Sequence, residues 1–126
     1  MKPDNPVAWF EIYVADMDRA RAFYTAVFGR ELNRLDETGD ELEMYAFPWS
    51  EDGGGAPGAL VHHPLMAPGQ GGTLVYFACR DVSEEAERAA QNGGTIHRPK
   101  MSIGKHGFIA LVRDSEGNVI GLYSRQ

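Results

Sequence analysis

Two stretches of this chain align on each other without a gap. WFEIYVADMDRARAFYTAVFG runs from Trp9 to Gly29, and LVYFACRDVSEEAERAAQNGG runs from Leu74 to Gly94. Trp9 falls on Leu74, Glu11 on Tyr76, Asp16 on Asp81 and Gly29 on Gly94. Each copy is an alternating apolar run, an aspartate, one amphipathic stretch and a glycine stop. A repeat of this kind means two copies of one supersecondary unit. In a chain of 126 residues, neither copy buries enough surface alone, so the copies are expected to share a core as one domain over 1–126. Paired units leave a cleft, and clefts are where small molecules bind.

Charge narrows the class of ligand. The formal net charge of −6 lacks the basic stripe of a nucleic-acid binder. A small, weakly charged or cationic ligand fits better than a polyanion. Cys79 is the only cysteine, so no intrachain disulfide forms. It sits in an apolar strand pattern, where a thiol behaves as a small hydrophobe. No apolar run approaches the ~18 residues of a membrane span. The first residues, MKPDNPVAW, lack the basic-then-apolar layout of a signal peptide. The expectation is a cytoplasmic protein that binds no membrane.

Periodicity gives the elements. Val7 to Val14 reads as a strand with Phe10, Ile12 and Val14 on one face and Trp9, Glu11 and Tyr13 on the other. Asp16 suits a helix N-cap. Met17, Ala20, Phe23, Tyr24, Val27 and Phe28 recur at helical spacing, and Gly29 suits a left-handed stop. Strands are expected at Glu31 to Leu35, Glu41 to Trp49 and Ala59 to His63, with a turn at Gly39 and a glycine-rich surface loop from Ser50 to Gly58. The linker Pro64 to Gly72 leads to the second copy. There a strand from Thr73 to Cys79 precedes a helix over Ser83–Asn92, capped by Asp81 or Ser83. Strands follow at Thr95 to Arg98, Gly107 to Arg113 and Val119 to Arg125, with Gly117 in a hairpin turn. The pattern is α+β: paired βαβββ modules, approximately 7–63 and 73–126.

That order, with DMDRARAFYTAVFG (Asp16 to Gly29) and VRDSEGNVIGL (Val112 to Leu122), resembles the vicinal oxygen chelate superfamily of glyoxalases, bleomycin resistance proteins and dioxygenases. Ser115 replaces the proline usual in the second motif. The resemblance implies a glyoxalase-like fold over the whole chain, and a homodimer, since small members commonly pair and association covers sheet edges. In metal-dependent members, four strands carry one divalent metal through histidine and glutamate. The corresponding positions here fall on Trp9, Leu74, Gly121 and a residue near Val61 or His62. Tryptophan, leucine and glycine offer no ligand atom, so no metal and no cofactor is expected. The chain is similar to the branch related to lactoylglutathione lyase.

Glu11 is the candidate catalytic residue. A carboxylate among aromatics has a raised pKa and can act as a general base. The alternative is a structural ion pair, for instance with Arg113. Trp9, Tyr13, Tyr45, Phe47, Trp49 and Tyr76 are candidate aromatic walls for a flat or cationic ligand. His62 is a further lining candidate, and His106, in the loop GKHG, a lid candidate. The His62–His63 pair points to opposite strand faces and is not a chelating pair. Four readings follow. They are a metal-independent binder of a small organic molecule in a concave cleft, a lyase or isomerase using Glu11, a sequestering drug-resistance protein, and a non-catalytic dimerisation or regulatory domain.

Overall fold

The computed structural model describes residues 5–36 and 41–126. The elements are β1 (Val7–Tyr13), α1 (Met17–Phe28), β2 (Asn33–Leu35), β3 (Glu43–Ala46), β4 (Gly58–His62), β5 (Thr73–Ala78), α2 (Val82–Gln91), β6 (Thr95–Ser102), β7 (Phe108–Arg113) and β8 (Val119–Ser124). Strand, helix and three strands occur twice, so the fold is α+β with paired βαβββ modules. The turn expected at Gly39 lies outside the described residues. The chain divides into two compact units. One is Trp9–Thr73, called here the first unit. The other is Leu74–Gln126 together with Met1–Ala8, the second unit.

In the first unit the strands run in the order β2-β3-β4-β1. β1 pairs parallel with β4, while β2–β3 and β3–β4 pair antiparallel. The helix starts where Asp16 accepts the Arg19 amide at 3.0 Å, satisfying one of the free donors of the first turn. It stops at Gly29, whose φ of 69° is left-handed and whose amide donates to the Thr25 carbonyl. Val14, Met17, Leu32 and Leu60 form the core beneath it, with Ile12, Ala20, Tyr24, Tyr45 and Phe47 packed against them. The apolar stripe of α1 is wider than the buried one. Phe23, Val27 and Phe28 stay more than half exposed.

In the second unit the order is β5-β8-β7-β6, again with the first strand parallel to the last. Asp81, not Ser83, caps α2, accepting the Ser83 amide at 3.0 Å and its hydroxyl at 2.7 Å. Val82, Ala86, Ala110, Val112 and Leu122 make the core, with Cys79 packed at its border. The Val82 amide donates to the buried Ser124 hydroxyl. β6 continues four residues past the expected end at Arg98. Proline is tolerated on an edge strand, and of the two register shifts in β6 the one between Arg98 and Met101 spans Pro99. The Pro6 carbonyl accepts from the Ala78 amide at 2.8 Å, which ties the start of β1 to this unit.

Each parallel pair holds a glycine that makes room for an aromatic ring. Gly58 lies opposite Phe10 and Gly121 opposite Tyr76. A Cβ on Gly58 would sit within 2.6 Å of three Phe10 ring carbons, and one on Gly121 within 2.7 Å of three Tyr76 ring carbons.

Candidate ligand-binding site

Register assigns the two faces of the first unit. Tyr13 lies opposite Val61, and Val61 opposite Met44. Glu11 lies opposite Ala59, and Ala59 opposite Ala46. Paired residues project to one side of a sheet, so Trp9, Glu11, Tyr13, Met44, Ala46, Ala59 and Val61 share a face. α1 covers the other face, where Ile12 and Leu60 lie.

Glu11 is the only charged side chain among those seven. Its Oε2 accepts the Trp9 indole N–H at 3.1 Å, and its Oε1 accepts the Tyr13 hydroxyl at 2.8 Å. Burial pushes the carboxyl up from its ordinary value. The hydrogen bonds from Tyr13 and Trp9 pull the other way and do not cancel it. The expected Arg113 partner is engaged in its own hairpin, where it donates to the Gly117 carbonyl at 3.2 Å. Among the described residues no ion pair includes Glu11. The carboxylate is therefore held by neutral donors, which fix its orientation without neutralising it.

Two further rings complete this corner. Trp49 meets Trp9 edge to face, with centroids 5.8 Å apart and planes at 88°. It is 51% exposed. His63 stands edge-on to Tyr13 at 6.5 Å, and its Nδ1 accepts the Leu65 amide.

Three expected lining residues lie elsewhere. Tyr45 and Phe47 pack on the α1 side: Arg21 stands 4.1 Å over the Tyr45 ring, and Phe47 meets Phe10 and Tyr24. Their expected place beside Trp9 and Glu11 is corrected, because antiparallel pairing puts Tyr45 opposite Leu60. His62 falls opposite Glu43 on that same side and is exposed. His63, one residue past the end of β4, takes the position near Tyr13. Parity puts the two histidines on opposite faces, and the register of β4 decides which face each one takes. Trp49 escapes the alternation of β3 because the strand ends at Ala46 and Pro48 redirects the chain.

Tyr76 and His106 belong to the second unit. Tyr76 is buried over Gly121. His106 is exposed in a single 3₁₀ turn, Gly104–His106, and its carbonyl accepts from the Tyr123 hydroxyl. A cavity of about 450 Å³ in the first unit opens on the other side of β1, between α1 and the segment from Pro68 to Thr73, and does not include Glu11.

The residues present do not fit the metal of metal-dependent relatives. The Trp9 indole N–H is a donor already used by Glu11. Leu74 is buried and apolar. Gly121 has no side chain, and the Tyr76 ring fills the space one would need. The described residues bring no three His, Cys, Asp or Glu side chains together at a metal-binding distance.

The model of the Glyoxalase/Bleomycin resistance protein/Dioxygenase superfamily matches residues 7–122. The chain belongs to this superfamily. Among curated members of the glyoxalase superfamily, it is 27% identical over 120 residues to "Putative glyoxylase CFP32" of Mycobacterium bovis, and equally to the protein of that name in Mycobacterium tuberculosis. The match covers 91% of this chain and 44% of either relative, so the chain spans less than half of their length. Among solved structures, Streptomyces coelicolor methylmalonyl-CoA epimerase in complex with 2-nitronate-propionyl-CoA superposes with a TM-score of 0.68 at 18% identity, over 94% of this chain and 93% of that one. The Mycobacterium tuberculosis methylmalonyl-CoA epimerase gives 0.65 at 16%, over 96% and 88%. At these identities the likeness is one of fold.

Proposed function

We propose that this glyoxalase-superfamily chain binds a small organic molecule against the Glu11 face of its first unit without a metal ion, in the manner of a branch that has lost the metal ligands. The observation that supports this most is the Glu11 carboxylate itself. It is largely withdrawn from water and pinned by Trp9 and Tyr13, with a raised pKa. Such a group is costly to keep unless it serves a ligand. Each oxygen accepts one hydrogen bond and retains lone-pair capacity for a second. If the bound molecule is turned over, Glu11 is the base, and the reaction is a proton transfer of the lyase or isomerase kind.

Two measurements test the reading. Elemental analysis of the purified protein is expected to find no stoichiometric divalent metal. Near one nickel, zinc or iron per chain, lost on replacing His62, overturns metal independence. A thermal-shift screen of metabolites is expected to find a ligand that raises Tm with concentration and whose turnover, where present, disappears in Glu11→Gln. Binding that leaves the Trp9 and Trp49 signals unmoved overturns the assignment of the face.

A further inference from the structure

We infer that the molecule seated on the Glu11 face is a compact organic cation, an ammonium centre carrying small alkyl groups. This rests on the reading of that face as the binding site and adds the chemical class of the ligand.

Charge and shape carry the inference together. Glu11 has no cationic partner among the described residues. The ion pairs of the first unit, Asp18–Arg21 and Arg34–Glu43, involve other carboxylates. Arg21 is also on the far side of the sheet, over Tyr45. The same-face neighbours Met44, Ala46, Ala59 and Val61 are uncharged, and all four are buried. An anion placed here meets a like charge, and His63, the basic side chain beside Tyr13, already uses its Nδ1 to accept the Leu65 amide. A neutral ligand leaves the carboxylate uncompensated. A cation neutralises it, and a charge pair in a water-poor setting is far stronger than in bulk water.

The aromatic frame suits the same ligand. Trp9 and Trp49 stand at 88° to each other, and Tyr13 holds its hydroxyl on the other carboxylate oxygen. Indole and phenol faces attract ammonium centres through the ring quadrupole. Neither Trp9 nor Tyr13 can turn away without losing its hydrogen bond to Glu11. Each oxygen already accepts one directional donor, and an alkylated ammonium, bound by charge and ring faces, needs no further acceptor geometry.

The chain has two tryptophans, and both lie in this corner, so fluorescence excited selectively at tryptophan reports on it. Choline, its neutral isostere 3,3-dimethyl-1-butanol and the anion 3,3-dimethylbutyrate are titrated at constant ionic strength. Choline is expected to saturate at least tenfold more tightly than the alcohol, with no saturable response to the butyrate. Glu11→Gln is expected to reduce the choline-to-alcohol preference at least tenfold. Trp49→Ala, at a half-exposed position past the end of β3, is expected to weaken choline several-fold with only a small loss in Tm. If Glu11→Gln fails to fold, the probe ratio and Trp49→Ala decide the matter. Equal binding of choline and the alcohol, stronger binding of the butyrate, or a choline preference that survives Glu11→Gln overturns the cation while leaving the face as a binding site. No response to any of the three probes by a folded protein overturns both.

Discussion

Gly121 lies opposite Tyr76 on the paired strand, and Gly121→Ala tests whether the ring holds that position open. A Cβ at this position would stand within 2.7 Å of three carbons of the Tyr76 ring. Ordinary carbon–carbon contact is ~3.5–4.0 Å, so the ring must retreat by roughly 1 Å. Tyr76 is only 7% exposed, which leaves it little room. Overpacking of this kind costs about 1–3 kcal/mol. Alanine recovers about 0.5–1 kcal/mol of backbone entropy in a strand, and Gly121 is not among the positive-φ glycines. The net loss is about 0–2.5 kcal/mol. Its centre, about 1 kcal/mol, lowers Tm by roughly 3–6 °C at this chain length, measured by calorimetry. The same substitution in a Tyr76→Leu background should cost nothing or stabilise, giving a coupling energy of about 1 kcal/mol or more. A Gly121→Ala loss that persists in that background, or a stabilisation in the wild type, refutes the argument that the ring holds this position open.

Three further outcomes follow from the titrating groups. Glu11 has a raised pKa, so the folded state holds its proton more tightly than the unfolded state; stability falls as pH climbs from the ordinary carboxyl value through the raised one, and Glu11→Gln should flatten that decline in urea melts. Asp81 is held down to about 2, chiefly by the Ser83 and Lys100 hydrogen bonds, so its contribution is present above the ordinary value and lost as pH falls toward 2; Asp81→Asn should abolish that acid dependence. Burial pushes the Cys79 thiol up to about 11, with Glu85 adding to it; at pH 8 the native protein should react with Ellman's reagent far more slowly than the urea-unfolded chain, and equal rates would show the thiol to be unprotected.

Much of the fold was legible because the signals were local. Asp16 and Asp81 announce helix starts and Gly29 a helix stop through hydrogen bonds within four residues. The site was legible only where one strand defined it. Trp9, Glu11 and Tyr13 share a face by alternation alone, and the hydrogen bonds among them follow. Tyr45, Phe47 and His62 were misplaced because alternation separates two faces without saying which one meets another strand's face. That depends on the register between β3 and β4, which no local pattern states. The Trp9–Trp49 contact was illegible for the opposite reason: it lies past the end of a strand, where alternation no longer applies.

The second unit has a strand order in which β8, the last of its four to be made, lies between β5 and β7. Its parallel partner β5 ends more than forty residues earlier, and the Pro6 carbonyl that accepts from the Ala78 amide of β5 was made earlier still. During synthesis the first unit, drawn from one continuous stretch, has all its strands once Thr73 has emerged. The second must wait for Ser124, since β8 is the strand that joins β5 to β7. The strands that carry the Glu11 face are therefore all made before the strand that completes the second unit.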